Sequence, residues 1–151
     1  PQAYEGDQYS ESRDRIVKDL EEERKKLVSE MEAYAKERNF ALASTPMGIV
    51  IAPVKNGKPL KAEEYNALSE EERKQYEAAQ ADVQEKLDRT MRRINELGQI
   101  ARDRLQELDQ QIAGNTIQHL FRTLAEKYAA WPAIIEWLEE VRQDMVKNIA
   151  L

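Results

Sequence analysis

From Ser10 to about Asn39 the chain has no glycine or proline, and its apolar residues fall on one stripe. Ile16, Leu20, Leu27, Met31 and Tyr34 are separated by 4, 7, 4 and 3 positions, the spacing of one helix face. Ser10 or Ser12 is placed to cap that helix. Its other positions are charged, with Glu-to-Lys pairs four apart at Glu21–Lys25, Glu22–Lys26 and Glu32–Lys36. Such pairs contribute only about 0.2–0.5 kcal/mol each. A narrow stripe on so charged a helix predicts a coiled-coil seam. Residues 1–9 carry no periodicity and read as a lead-in segment.

The period then changes. Phe40-Ala41-Leu42-Ala43-Ser44 and Ile49-Val50-Ile51-Ala52-Pro53-Val54 flank Thr45-Pro46-Met47-Gly48. Pro46 presets φ for the second turn position, and Gly48 can take a positive φ. The β-branched run behind the turn favours a strand. A hairpin is therefore predicted, with strands at about 40–44 and 49–54. Pro53 cannot donate to a ladder, so the second strand must be an edge there. Asn56-Gly57 predicts a second tight turn. A two-stranded hairpin is marginal alone in water, so Phe40, Leu42, Ile49 and Ile51 must pack on a helix or on a partner.

Residues 61–67 allow one or two helical turns, and Ser69 with Glu72 has the spacing of a capping box. Beyond it runs a second, longer stripe: Tyr76, Val83, Leu87, Met91, Ile94, Gly98, Ala101, Leu105, Leu108 and Ile112. The spacing is a heptad, except for a 4-4-3 step from Val83 to Ile94 that locally unwinds a left-handed supercoil. At 1.5 Å per residue, 70–113 reaches about 66 Å and 12–39 about 42 Å. An antiparallel pair is expected, with the hairpin at the turnaround end. Gly114-Asn115 either ends the long helix or is tolerated within it at about 1 kcal/mol relative to alanine. Ile117, Leu120, Phe121, Leu124 and Tyr128 then form an apolar face. Pro132 separates it from a last amphipathic helix carrying Ile134, Ile135, Trp137, Leu138, Val141, Met145 and Ile149.

The predicted fold class is mainly α: a long antiparallel helical coiled coil with a small β-hairpin and a C-terminal helical unit. The partition is 1–9, then an arm over 10–113 with its hairpin at about 40–54, then 115–151. The chain opens at Pro1 without a methionine and closes on Ile149-Ala150-Leu151 without a cap, which suggests a piece of a longer polypeptide.

Composition narrows the function classes. The 151 residues contain no cysteine and a single histidine, His119. A thiol nucleophile, thiolate-ligated zinc and Ser-His-Asp catalysis lack material. Net charge is −6, which argues against a phosphate-backbone binder. No apolar run approaches the roughly 18 residues of a membrane span, and no signal-peptide pattern is visible. No Gly-x-x-x-x-Gly-Lys-Ser/Thr loop is present for ATP phosphates. No cofactor or metal is expected. Glu139 and Glu140 are neighbours on a helix and do not face each other as acid and base would. Arg89, Arg92 and Arg93, beside Glu85, Asp88 and Glu96, read as a solvated, salt-bridged face. Trp131 and Trp137 read as core or interface anchors, and His119 as an ordinary residue.

Several stretches together resemble a known family. They are Asn39-Phe40-Ala41-Leu42 with Thr45-Pro46-Met47-Gly48, then Ala52-Pro53-Val54-Lys55-Asn56-Gly57-Lys58-Pro59-Leu60, then Glu63-Glu64-Tyr65-Asn66-Ala67-Leu68-Ser69-Glu70-Glu71-Glu72. Glu126-Lys127-Tyr128 and Trp131-Pro132 extend the likeness. This order resembles the helical insertion in the AAA+-like region of Lon-family proteases, closest to the ATP-independent LonC type. Lon-family proteolysis uses a Ser–Lys dyad, with the serine in a Gly-x-Ser-Ala-Gly setting. None of Ser10, Ser12, Ser29, Ser44 or Ser69 has that setting, so no catalytic residue carries over. The resemblance implies a non-catalytic domain of a cytoplasmic, homo-hexameric protease, without nucleic-acid or membrane partners. Its expected partners are the rest of that protease and unfolded protein substrates, whose exposed apolar segments would meet Phe40, Leu42, Met47, Ile49 and Ile51. The competing expectation is a structural or oligomerisation coiled coil that touches no substrate.

Overall fold

The computed structural model describes residues 2–149. The elements are α1 (Gln2–Glu37), β1 (Phe40–Thr45), β2 (Gly48–Lys55), β3 (Lys58–Pro59), α2 (Ala62–Asn66), α3 (Glu70–Lys127) and α4 (Pro132–Ile149). The chain divides into two compact units, Asp19–Gln99 and the segments Pro1–Lys18 with Ile100–Leu151. The division falls inside both long helices and not at residue 114.

In the unit Asp19–Gln99, α1 and α3 are antiparallel. Tyr34 bonds to Asp82, and Thr90, further along α3, meets Met31, further back along α1. The seam holds Met31, Ala35, Phe40, Val83 and Leu87, all buried. Every position of the two predicted stripes is buried or half-buried, including Gly98. The Thr90 hydroxyl lies in this seam and donates to the Lys86 carbonyl at 2.8 Å, so its burial leaves no polar group unpaired. The three expected Glu-to-Lys pairs on α1 do not close; Arg24 reaches Glu21 at 3.8 Å instead. Exposed pairs of this kind barely repay the side-chain entropy they cost.

Asn39 ends α1 by taking a left-handed conformation, φ +62°, a role asparagine tolerates. Its carbonyl accepts from the Val54 N–H at 2.8 Å, which opens the β1–β2 ladder. The ladder runs without a bulge from Phe40↔Pro53 to Thr45↔Gly48. Pro46 and Met47 form the loop, and Gly48 has φ +123°. The expected hairpin carries a third strand. Asn56 (φ +53°) and Gly57 (φ +78°) make a two-residue turn of the type that two positive φ values define, and it pairs Lys55 with Lys58. Strand β2 is therefore central, although Pro53 behaves as expected of an edge residue. Its carbonyl accepts from the Leu60 N–H at 2.8 Å, but it has no N–H to return, and β3 stops at Pro59.

Ser69 caps α3, accepting from the Glu72 N–H at 3.2 Å. The reciprocal half of the box is absent, because the Glu72 carboxylate pairs with Lys55 of β2 at 3.3 Å. Helix α3 then runs unbroken through Gly114.

In the other unit, Ile117 and Phe121 of α3 and Leu138 of α4 form a second core, with Leu124, Ile134, Ile135, Val141 and Ile149 against it. Pro132 opens α4, where its missing N–H costs nothing. Trp131 and Trp137 are not core residues; they are 62% and 60% exposed. Leu138 faces inward, which turns its neighbour Trp137 about 100° away. Residues 2–9 are helical, not a lead-in. Tyr9 is half-buried and its hydroxyl donates to the Asp109 carboxylate, a tertiary contact that outweighs the missing periodicity.

Two stability predictions follow from this packing. Met31→Ala should cost about 2–5 kcal/mol, whereas Val17→Ala, at a half-exposed position, should stay within about 0.5 kcal/mol. Urea midpoints measure both. Gly114→Ala meets no atom within 4 Å and should stabilise by about 0.5–1 kcal/mol. The same change at Gly57, held at φ +78°, should destabilise.

Candidate functional site

The five residues expected to contact substrate do not form one surface. In an antiparallel ladder, directly opposed residues share a face. Phe40, Leu42, Ile49, Ile51 and Pro53 therefore lie on one face, and Ala41, Ala43, Val50, Ala52 and Val54 on the other. The first face is turned to the helices. Phe40 is 3% exposed and belongs to the core, while Leu42, Ile49 and Ile51 are half-buried against it. Phe40 is thus a structural residue and is withdrawn from the contact set. Its ring meets Tyr76 edge-on, with centroids 5.9 Å apart, and the Tyr76 hydroxyl donates to the Val54 carbonyl at 2.8 Å. These contacts fix the sheet to α3.

Met47 has the opposite fate. It is 97% exposed at the loop tip. Val50, outside the five expected contacts, is 42% exposed on the outer face. The register that reveals it follows from the Pro46-Met47 loop, so the alternation of Ile49, Val50 and Ile51 was the available signal. Beside β1 lies a groove of about 590 Å³, lined by Glu32 and Lys36 of α1, by residues 39–42, and by Val54, Gly57 and Pro59.

A polar cluster braces the helix pair next to the sheet. The Tyr34 hydroxyl donates to Asp82 Oδ2 at 2.7 Å, and Arg38 Nε donates to the same oxygen at 3.1 Å. The Arg38 guanidinium also lies 3.5 Å from the Tyr34 ring centroid, a cation–π stack. The bond from Tyr34, with that from Arg38, holds the Asp82 carboxyl below the usual carboxylate range. The same bond to Asp82 holds the Tyr34 phenol above its ordinary value.

The remaining candidates have structural roles. Arg89 pairs with Glu85 and Arg93 with Glu96, so two of the three arginines of the basic cluster are salt-bridged. Glu139 is held by Arg142, whose Nε is 3.1 Å away, and its carboxyl is lowered mainly by that bond. His119 is exposed. Among the described residues, no three His, Cys, Asp or Glu side chains converge as metal ligands, and no helix is long and apolar enough to cross a membrane.

No protein-family model, curated protein or solved structure matches the chain.

The cluster at Asp82 predicts a pH dependence with a definite sign. A carboxyl whose native value is depressed favours the fold while ionised. Its contribution is full above the ordinary carboxylate value of about 4 and is lost as pH falls through the lowered native value. Tyr34 acts at the other end: its contribution is full below about pH 10 and is lost as pH rises through the raised native value. Asp82→Asn should flatten the acid limb, as read from urea midpoints between pH 2 and 7.

Proposed function

We propose that this chain is a non-catalytic insertion domain of a Lon-like, AAA+-related protease, which engages unfolded protein substrates and controls their access to the proteolytic chamber. The proteolytic dyad belongs to the parent, which on this reading is a cytoplasmic homo-hexamer. The observation that carries the reading is Met47. Leu42, Ile49 and Ile51 of the same hairpin are packed inward, yet this large apolar side chain is 97% exposed at the loop tip. A thioether side chain adapts to many apolar surfaces. Unfolded chains offer such surfaces and folded ones bury them, so selectivity arises from burial alone.

The inward packing of Phe40, Leu42, Ile49 and Ile51 favours a second reading, a structural or oligomerisation module without substrate contact. The two differ in what Met47 does. In an NMR titration of the labelled 151-residue chain, an unfolded, reduced and carboxymethylated protein should shift the Met47 and Val50 signals, and the same protein folded should not. Met47→Asp should weaken binding about tenfold, the equivalent of about 1.4 kcal/mol, and leave the melting temperature unchanged. Absence of any shift at high substrate concentration would favour the structural module.

A further inference from the structure

The sheet has two edges, and they are treated differently. On one side β3 is two residues long, carries Lys58 and ends at Pro59. Short length, lysine and proline are the ordinary means of blunting an edge. The other edge is β1. It is six residues, Phe40–Thr45, with no charge, proline or bulge.

The hydrogen-bond alternation shows which groups face outward. Asn39 and Val54 are a bonded pair, so Phe40↔Pro53, Leu42↔Ile51 and Ser44↔Ile49 are the non-bonded pairs of the ladder. The N–H and C=O groups of Phe40, Leu42 and Ser44 therefore point away from β2. Among the described residues no strand or side chain takes them up. Positive N–H and negative C=O ends alternate along this edge, and the complement to that pattern is an extended backbone. Ala41 and Ala43, on the outer face, are small enough to let one approach. The absence of formal charge along β1 selects an uncharged segment. A groove of about 590 Å³, lined by α1, by residues 39–42 and by Val54, Gly57 and Pro59, opens on the same sheet.

We propose that the free edge of β1 takes up an extended, uncharged segment of an unfolded polypeptide as an added strand, with Met47 capping its apolar side chains at the turn. This rests on the reading of the chain as a binder of unfolded proteins, and supplies its mode: backbone pairing gives affinity for uncharged extended segments of differing sequence.

The test uses the full chain and a six-residue peptide of alternating valine and threonine, beside the same peptide N-methylated at every second residue. With the unmodified peptide, amide exchange at Leu42 and Ser44 should slow at least tenfold, and the N-methylated peptide should bind about tenfold more weakly. Ser44→Pro removes one outward N–H while sparing the β1–β2 ladder, and should weaken binding about tenfold. Unchanged core signals from Met31 and Phe40 would show that this variant folds. Equal binding of both peptides without protection at Leu42, but with a shift at Met47, would overturn strand addition and leave substrate engagement standing. No response at Met47 or β1 to either peptide or to the unfolded protein would remove both. Protection in the free chain that disappears on dilution would overturn the proposal in favour of pairing with a second copy.

Discussion

The burial of Phe40 is the constraint on which the rest of the unit Asp19–Gln99 depends. A two-stranded hairpin is marginal alone in water, and the third strand here adds only Lys58 and Pro59. The sheet is held because one ring from its first strand enters the seam between two helices, among Met31, Ala35, Val83 and Leu87. Full burial of such a side chain is worth about 1.5–3 kcal/mol, comparable to a large share of what a small sheet lacks. The left-handed Asn39 directly before it makes the insertion possible. It turns the chain out of α1 within two residues, so that helix, turn and strand all converge on the same cluster. Tyr76 then locks the far end of β2 through ring contact with Phe40 and the bond to Val54.

How much of this was legible in the sequence depended on the kind of signal. Periodicity was reliable: all fifteen stripe positions are buried or half-buried, because a helix has only one way to present residues spaced by three and four. Turn chemistry was reliable too, since Gly48, Asn56 and Gly57 adopt the positive φ values their types allow. Signals that depend on competition between partners were not. The Glu72 carboxylate could return to Ser69 or reach Lys55, and only the fold brings Lys55 near. The segment 2–9 shows no period, yet Tyr9 finds Asp109, a hundred positions away. Gly114 was undecided because its cost in a helix, about 1 kcal/mol, is small against the many backbone bonds of a helix of 58 residues.

The candidate site was half legible for the same reason. Its residue types were visible, and strand alternation puts Phe40, Leu42, Ile49 and Ile51 on a single face; that this face is the one turned to the helices depends on tertiary packing. Leu42, Ile49 and Ile51 serve the core, Val50 faces outward, and Met47 belongs to neither face because it lies in the loop.

That separation also decides how freely the outer surface can change. The inner face is constrained by close packing, where a lost methylene is felt. Met47, 97% exposed, and the outward backbone groups of β1 contribute nothing to that packing. An uncharged, unblunted edge is a liability in any free protein. In a chain with 34% charged residues, placing a lysine within Phe40–Thr45 would be an easy defence, and the opposite edge has one. In the proposed strand addition the open edge and the exposed methionine act together, and the buried seam beneath anchors the sheet that carries both.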